Sequence, residues 1–446
     1  MLVPSTPLPL LLLLLASDGV SAKKSTLVRR TSDFARRQTT NLARDLRVAL
    51  AGVGLLPRSD SAQHVIYCKN SAQGALGSSS ASGASGASGS GSASGSGSSG
   101  GSGTKSGSVS SGHSSSTKKA SGTTTGTGAG ATATSAWHLT QNYAGSSFFD
   151  GWDFWDTSDP THGTVDYVSQ TDGQNAGLIE INSAGNAIMR VETTPTVASV
   201  RKSIRITTQK SFTGGLVIMD AVHMPTGCAT WPAFWSNGPN WPIGGEIDIV
   251  EGVNDYTNNQ ATIHTGPGCS LPTDNPAQLG ASASAVTGGT DCAAATSGNA
   301  GCGMRSPSSQ SFGAGFNSNG GGVYAMKWDS SGISVYFFAR GTVPDDIGAG
   351  APQPTTWGLP MAHWPANDCD PWKYFYTHVA IFDTTLCGDW AGSAWTGSGI
   401  PGQEQSCATR TGYPTCEAFV QGSGASFADA YWEVKSVKFY NTTAPL

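Results

Sequence analysis

From Ala136 to Leu446 apolar and polar positions alternate in short runs, separated by clusters of Gly, Pro, Asn and Ser. Ala187 to Glu192, Lys202 to Thr207, Gly215 to Val222, Ala261 to Thr265, Gly322 to Asp329, Gly332 to Arg340, Tyr374 to Phe382 and Tyr431 to Tyr440 each read as a strand. No long segment of 3.6-residue period competes with them. The pattern predicts an all-β fold, an antiparallel β-sandwich of the jelly-roll kind.

One run breaks the pattern with charge. Between Trp241 and Asp255, three carboxylates (Glu246, Asp248 and Glu251) interrupt a series of β-formers, where acids are normally depleted. Strict alternation puts Glu246 and Asp248 on one face, with Ile247 and Ile249 on the other as core. Glu251 then falls on the wrong face. One extra residue, a β-bulge at Ile249-Val250, restores it. The pleat alone leaves the Cα atoms of Glu246 and Glu251 roughly 13 Å apart, so the strand must also bend for their carboxyls to converge. Two glutamates meeting in a groove are the equipment of a retaining glycosidase, which holds them about 5 to 5.5 Å apart; acids on a solvated strand face are the plain alternative. Upstream, Trp231, Trp235 and Trp241 crowd what reads as a turn-rich loop, and indole faces suit the apolar C–H faces of sugars, although such tryptophans also serve as core. Asn254 and Asp255 can bond sugar hydroxyls or make the turn. His264, in a neighbouring strand, shares a face with Thr262 and can face the carboxylates.

The rest of the chain sets the context. Residues 1–22 combine an apolar Leu10 to Leu15 run with Val20-Ser21-Ala22, the form of a secretory signal peptide. That run is well short of the roughly 20 residues a spanning helix needs, so a secreted protein without a membrane span is expected, in the medium or the cell wall. Residues 23–73 are basic with dibasic pairs, and read as a pro-segment or a short amphipathic helix. Residues 74–135 are almost wholly Ser, Gly, Thr and Ala, too poor in apolar surface to fold alone, and serve as a linker with a reach of about 40 to 45 Å. The Gly-rich matches there to dinucleotide and nucleophile-elbow motifs lack flanking strands and helices. The domain from 136 to 446 contains all 13 Trp, and carries 12 Lys and Arg against 26 Asp and Glu, a net of −14 where the chain as a whole carries −5. That balance argues against nucleic acid as a ligand and suits a neutral polymer. Of nine cysteines, eight lie in this domain and are expected to pair as disulfides in a secreted chain, with the pairing left open. No Cys-x-x-Cys or His-Glu-x-x-His spacing suggests zinc. Asn441-Thr442-Thr443 is a glycosylation sequon.

From about His138 to Tyr440 the sequence resembles the catalytic domain of glycoside hydrolase family 16, in particular fungal laminarinase-type endo-β-1,3(4)-glucanases. The resemblance is carried by Asp159-Pro160-Thr161-His162-Gly163, Ser203-Ile204-Arg205-Ile206, Trp231-Pro232-Ala233-Phe234-Trp235, Gly245 to Asn254, Thr262-Ile263-His264-Thr265 and Cys387-Gly388-Asp389-Trp390-Ala391-Gly392. The Glu-Ile-Asp-Ile-x-Glu spacing resembles the bulged laminarinase branch rather than lichenases, which have one residue fewer. The resemblance implies a jelly roll with a concave substrate cleft, Glu246 as nucleophile, Glu251 as general acid/base and Asp248 between them. It also implies sugar contacts from Arg205, Trp235, Trp241, Asn254, His264 and Trp390. The implied reaction is retaining endo-hydrolysis of β-1,3-glucan, with mixed-linkage β-1,3-1,4-glucan as a further substrate; a monomer is expected, with no cofactor and no catalytic metal, and a structural calcium held by loop oxygens is left open. Two rivals are transfer of the glycosyl unit to another glucan, as in wall remodelling, and a non-catalytic β-glucan-binding protein on the same sandwich. Residues 23–135 match no module of the family.

Overall fold

The computed structural model describes residues 135–282 and 285–442. The signal-peptide, basic-segment and linker readings fall outside these residues, as do Cys68 and Thr443 of the sequon. No helix among the described residues is long and apolar enough to cross a membrane.

Eighteen strands dominate among the described residues. They are β1 (Trp137–Ala144), β2 (Trp152–Phe154), β3 (Val165–Tyr167), β4 (Ile179–Ile181), β5 (Ala187–Arg190) and β6 (Arg201–Ser203). Next come β7 (Arg205–Thr208), β8 (Gly215–His223), β9 (Thr230–Asn237), β10 (Glu246–Glu251), β11 (Gln260–His264) and β12 (Val286–Thr287). The last six are β13 (Cys302–Arg305), β14 (Gly322–Asp329), β15 (Gly332–Ala339), β16 (Ala362–Pro365), β17 (Val379–Leu386) and β18 (Tyr431–Thr442). One eight-stranded sheet runs β16-β15-β14-β8-β18-β5-β4, with β1 also paired to β18; the other runs β12-β13-β11-β10-β9-β17-β7-β2. Pairing within both is antiparallel, while β3 and β6 form a separate parallel pair. Large antiparallel sheets with non-sequential strand order make the expected jelly-roll sandwich.

The core lies between the two sheets. Met219, Tyr324, Met326 and Phe439 from the first join Phe234, Ile247, Ile263 and Phe382 from the second in one buried cluster. Each such side chain contributes about 1.5–3 kcal/mol by leaving water. Because one face of the second sheet is spent on this core, the alternate residues of β7, β9, β10, β11 and β17 are left on its other, open face.

Three boundaries differ from the sequence reading. The tryptophan-rich stretch expected as a loop is strand β9, paired on both sides to β10 and β17. Pro232, which disguised it, lies just beyond the last β9–β10 pair, Ala233↔Glu251, so the proline sits where that ladder has ended. The run from Lys202 to Thr207 divides at buried Ile204 into β6 and β7, which belong to different sheets. The run from Tyr374 to Phe382 starts too early: Pro371–Tyr374 is a helical turn with Pro at its start and the Asp370 side chain accepting the Trp372 N–H, a favoured helix opening.

All eight cysteines of the domain pair, as Cys228–Cys407, Cys269–Cys369, Cys292–Cys302 and Cys387–Cys416. The Cys269–Cys369 bond closes a loop with a sequence separation of 100. Its removal in a Cys269→Ser/Cys369→Ser variant is expected to cost about 2–5 kcal/mol of unfolding free energy, read by denaturant titration; an unchanged midpoint and slope would show that the bond constrains nothing the rest of the fold does not already fix.

Candidate active site

Two glycines bracket the acidic strand. At Gly245, with φ +78°, a Cβ would lie 2.3 Å from Phe375 Cδ1 and 2.5 Å from the Tyr374 carbonyl oxygen. At Gly252 it would press on the Phe312 ring at 2.8 Å. Only a residue without a side chain lets the backbone pass so close at either end. Between them the β10–β11 register pairs Glu246 with His264 and Asp248 with Thr262. Against β9, Asp248 faces Trp235 but Val250 faces Phe234, so the register shifts and Ile249 is the extra residue. Ile247, Ile249 and Val250 are all buried in the core cluster, and Glu251 returns to the open face after the bulge.

The open face therefore assembles from alternate residues of five strands. Trp231, Ala233, Trp235 and Asn237 come from β9; Ile381 and Asp383 from β17; Arg205 from β7; Thr262 and His264 from β11. Each of the two glutamates receives an indole N–H. Trp231 Nε1 donates to Glu251 Oε1 at 2.9 Å, and Trp241 Nε1 donates to Glu246 Oε2 in a close contact. Asp248, 2% exposed, lies between them. It shares a hydrogen bond with Glu246, and its Oδ2 is 3.3 Å from His264 Nε2.

Burial sets the electrostatics. Loss of water pushes the Asp248 carboxyl well above the usual carboxylate range, and the adjacent Glu246 raises it further. Glu251 is also held well above that range, first by desolvation and then by the charge of Asp248; the Trp231 hydrogen bond and His264 oppose this only in part. With the Asp248 and Glu251 carboxyls both raised by burial and by neighbouring charge, protons are held more tightly here than on solvated carboxyls.

A second layer lies alongside. Arg205, 3% exposed, stacks its guanidinium 4.7 Å from the Trp155 ring and 5.4 Å from the Trp235 ring. Trp235 Nε1 donates to Asp383 Oδ2 at 3.0 Å, so Arg205 and Trp235 form a platform rather than free arms. Desolvation pushes Asp383 up to about 7, even though Arg205 and the Trp235 hydrogen bond pull it down. Trp390 is half-buried and packs edge-on against Trp231 at 5.8 Å and 85°, which supports the indole that holds Glu251.

Asn254 is the one predicted sugar contact that the structure places elsewhere. It is wholly buried, with φ +55°. Its Oδ1 accepts the Ala229 N–H at 2.7 Å and its Nδ2 donates to the Ala391 carbonyl at 3.2 Å, so no polar atom of its amide is left for a ligand. The adjacent Asp255 is paired with Arg410 at 2.5 Å. Three residues of the site escaped the sequence reading. Asp383 and Asn237 sit in β-rich runs with no local motif; for Asn237 the period-two series Trp231, Ala233, Trp235 was the available signal. Asn259, described below, precedes β11 in a polar turn that carries no catalytic pattern. For a cation, Glu246, Asp248 and His264 offer ligand atoms within 4.8 Å of one another, whereas Cys228 and Cys407, beside Asp255, have their sulfurs committed to a disulfide.

A two-sheet antiparallel sandwich of this kind, with enclosed acids on one open face, places the chain among the glycoside hydrolases. Residues 152–440 match the family described as the XgeA-like catalytic GH16 domain, and the chain belongs to glycoside hydrolase family 16. It is 44% identical over 305 residues to a probable glycosidase of Schizosaccharomyces pombe, spanning 68% of each chain. It is 39% identical over 312 residues to a probable endo-1,3(4)-β-glucanase of Aspergillus flavus, where it covers 69% of its own length but 45% of the relative's. Among solved structures, Laminarinase 16A from Phanerochaete chrysosporium, with 6-O-glucosyl-laminaritriose in donor and acceptor sites, is 37% identical with a TM-score of 0.61, covering 68% of this chain and 99% of that one. An elongating GH16 β-1,3-glucosyltransferase is 36% identical with a TM-score of 0.60, covering 68% and 100%.

The raised Asp383 makes a pH prediction with a definite sign. A carboxyl whose proton is held to about 7 in the folded state, but released near 4 when unfolded, makes the folded state bind more protons across that window. Its contribution to stability is therefore lost as pH rises from 4 to 7. Asp383→Asn is expected to flatten this part of the melting-temperature profile; a slope identical to that of the unmodified protein would mean that Arg205 keeps Asp383 ionised throughout.

Proposed function

We propose that the protein is a secreted, monomeric enzyme that hydrolyses internal β-1,3 bonds of glucans, with mixed-linkage β-1,3-1,4-glucan as a further substrate, and with retention of anomeric configuration. The observation that carries this reading is the bulged strand β10, which brings Glu246 and Glu251 to one face, each under an indole N–H, with Asp248 between them. In the first step Glu251 gives its proton to the glycosidic oxygen as that C–O bond breaks, and a Glu246 oxygen forms an ester bond to the anomeric carbon. The elevated proton affinity of Glu251 suits the acid role at neutral pH. In the second step Glu251, now ionised, takes a proton from water, whose oxygen displaces Glu246. Asp248 hydrogen-bonds Glu246 and carries part of the proton shared by the group. His264, Trp235, Trp241, Trp390 and Arg205 line or support the surface that meets the sugar.

Two further features support a hydroxyl-rich ligand. Asn237 Nδ2 is a buried polar atom without a hydrogen-bond partner among the described residues, and a sugar hydroxyl can accept from it. The glucan-bound relative, similar along almost its whole length, supports β-1,3-glucan as the polymer. Four disulfides suit an oxidising compartment. The alternative, transfer to another glucan, is supported by a near-equal likeness to a GH16 glucosyltransferase: the same glycosyl-enzyme is released by a sugar hydroxyl if the acceptor side holds sugar better than water.

Glu246→Ser is expected to lower turnover of laminarin by at least about 10⁴-fold, on the scale of removing a covalent nucleophile, with an unchanged circular-dichroism spectrum and a melting temperature no lower than that of the unmodified protein. Retained turnover in a folded variant would remove Glu246 from the proposed role. In the unmodified enzyme, proton NMR of the first products should show the β-anomer before mutarotation, and an initial α-anomer would establish inversion. Sizing products from laminarin, lichenan, barley β-glucan and cellulose decides linkage preference; chains longer than the starting oligosaccharide would establish transfer.

A further inference from the structure

The bulge that re-aims Glu251 leaves a gap in the sheet. On the β11 side, β10 is paired only from Glu246 to Asp248; beyond that point its backbone groups need other partners or they stay buried and unpaired. The side chain of Asn259, immediately before β11, supplies them. Its Oδ1 accepts the Glu251 N–H at 2.9 Å, and its Nδ2 donates to the Ile249 carbonyl, also at 2.9 Å. A carboxamide carries the same donor and acceptor as a peptide unit, so this amide continues the ladder across the extra residue where a backbone cannot.

Asn259 is itself held from several sides. It is wholly buried. Its N–H donates to Ser311 Oγ at 2.9 Å, and its carbonyl accepts the Ser306 N–H at 2.7 Å. Ser311 Oγ donates in turn to the Ser308 carbonyl at 2.6 Å, and the Tyr324 hydroxyl from the opposite sheet donates to the Ser311 carbonyl. The amide therefore has one orientation, and that orientation fixes the backbone of both the bulged residue and Glu251.

We propose that Asn259 is a positioning residue for the acid/base step: by clamping Ile249 C=O and Glu251 N–H it holds the bulge open and keeps the Glu251 carboxyl aimed under the Trp231 indole. This rests on the role assigned to Glu251 above. The Asn259 side chain does not touch substrate; it acts through the backbone of the strand. Without the clamp the bulge can relax, and Glu251 can turn away from Trp231 and from the neighbouring Asp248.

The test compares Asn259→Ala and Asn259→Asp in the full chain with Glu251→Ala. Asn259→Asp preserves volume and an acceptor for the Glu251 N–H, but replaces the amide donor to Ile249 by a carboxyl that donates only while protonated. For Asn259→Ala, kcat on laminari-oligosaccharides should fall about 30- to 100-fold with KM within about twofold. The alkaline limb of the pH profile should move to lower pH, because a Glu251 released to water loses its raised proton affinity. The deficit should shrink on an oligosaccharide with a dinitrophenyl leaving group, which needs no proton donor. Asn259→Asp should show the same signature in weaker form, and keeps the question answerable if the alanine variant does not fold. A lower melting temperature with kcat, pH limbs and leaving-group dependence unchanged would overturn the proposal and leave Asn259 a stabilising group only. If Glu251→Ala itself shows no leaving-group dependence and no rescue by azide, the role of Glu251 fails; if Glu251→Ala shows both and the Asn259 variants show neither, the positioning role alone fails.

Discussion

A β-strand presents every second residue to one face, and Glu246 and Glu251 are five residues apart. No regular strand can put both on the same side. The active-site arrangement therefore depends on one irregularity, the extra residue at Ile249, and on whatever keeps it in place. A bulge unpairs backbone in the middle of a sheet, which is costly in a buried setting. Here the cost is met locally by the Asn259 amide, while Ile249 and Val250 both remain in the core. The remaining residues of the open face inherit their placement from ordinary pairing, as in the Glu246↔His264 and Asp383↔Arg205 registers.

The second constraint is electrostatic. Glu246, Asp248 and Glu251 share a space with little water, and Asp383 lies close enough to feel Glu246. A fold selected for stability alone would not gather acids this way. What offsets the repulsion is a set of fixed neutral dipoles: the Trp231 and Trp241 indoles on the glutamates and the Trp235 indole on Asp383. An indole N–H stabilises a carboxylate without neutralising it, so the group can still exchange a proton. A buried cation alongside, Arg205, stacks on Trp155 and Trp235 and acts on Asp383. This separates a region where charge is compensated from one where a proton is kept mobile.

Much of this was legible in the sequence because it follows from periodicity. Alternation predicted the sandwich, the shared face of Glu246 and Asp248, the facing of His264 and Thr262, and the need for a bulge. The resemblance to family 16 added roles that spacing could not. The sequence misled where local chemistry has two uses. Pro232 and three nearby tryptophans imitate a loop, yet β9 is an inner strand, because its ladder with β10 ends before the proline matters. Asn254 follows the catalytic pattern and is polar, but its amide is consumed by Ala229 and Ala391. Asn259 and Asp383 were silent because nothing local marks them: each gains its meaning from a partner far along the chain, Ile249 and Glu251 for one, Trp235 and Arg205 for the other.

Segments packed near both ends of the acidic strand are joined by disulfides, and this bears on how the site can stay ordered despite its repulsions. At the Glu251 end, Cys387 adjoins the Gly388–Gly392 turn that carries Trp390 and is tied to Cys416. Cys228, next to the Ala229 that bonds Asn254, is tied to Cys407. At the Glu246 end, the Cys269–Cys369 bond adjoins the turn whose Tyr374 and Phe375 pack against Gly245. The bulged half of the strand relies on Asn259 and on the core side chains beneath it. Electrostatic catalysis needs dipoles that do not reorganise as charge develops, and glutamates that repel each other tend to move apart. Disulfides in the neighbouring segments and the Asn259 amide on Ile249 and Glu251 resist that motion.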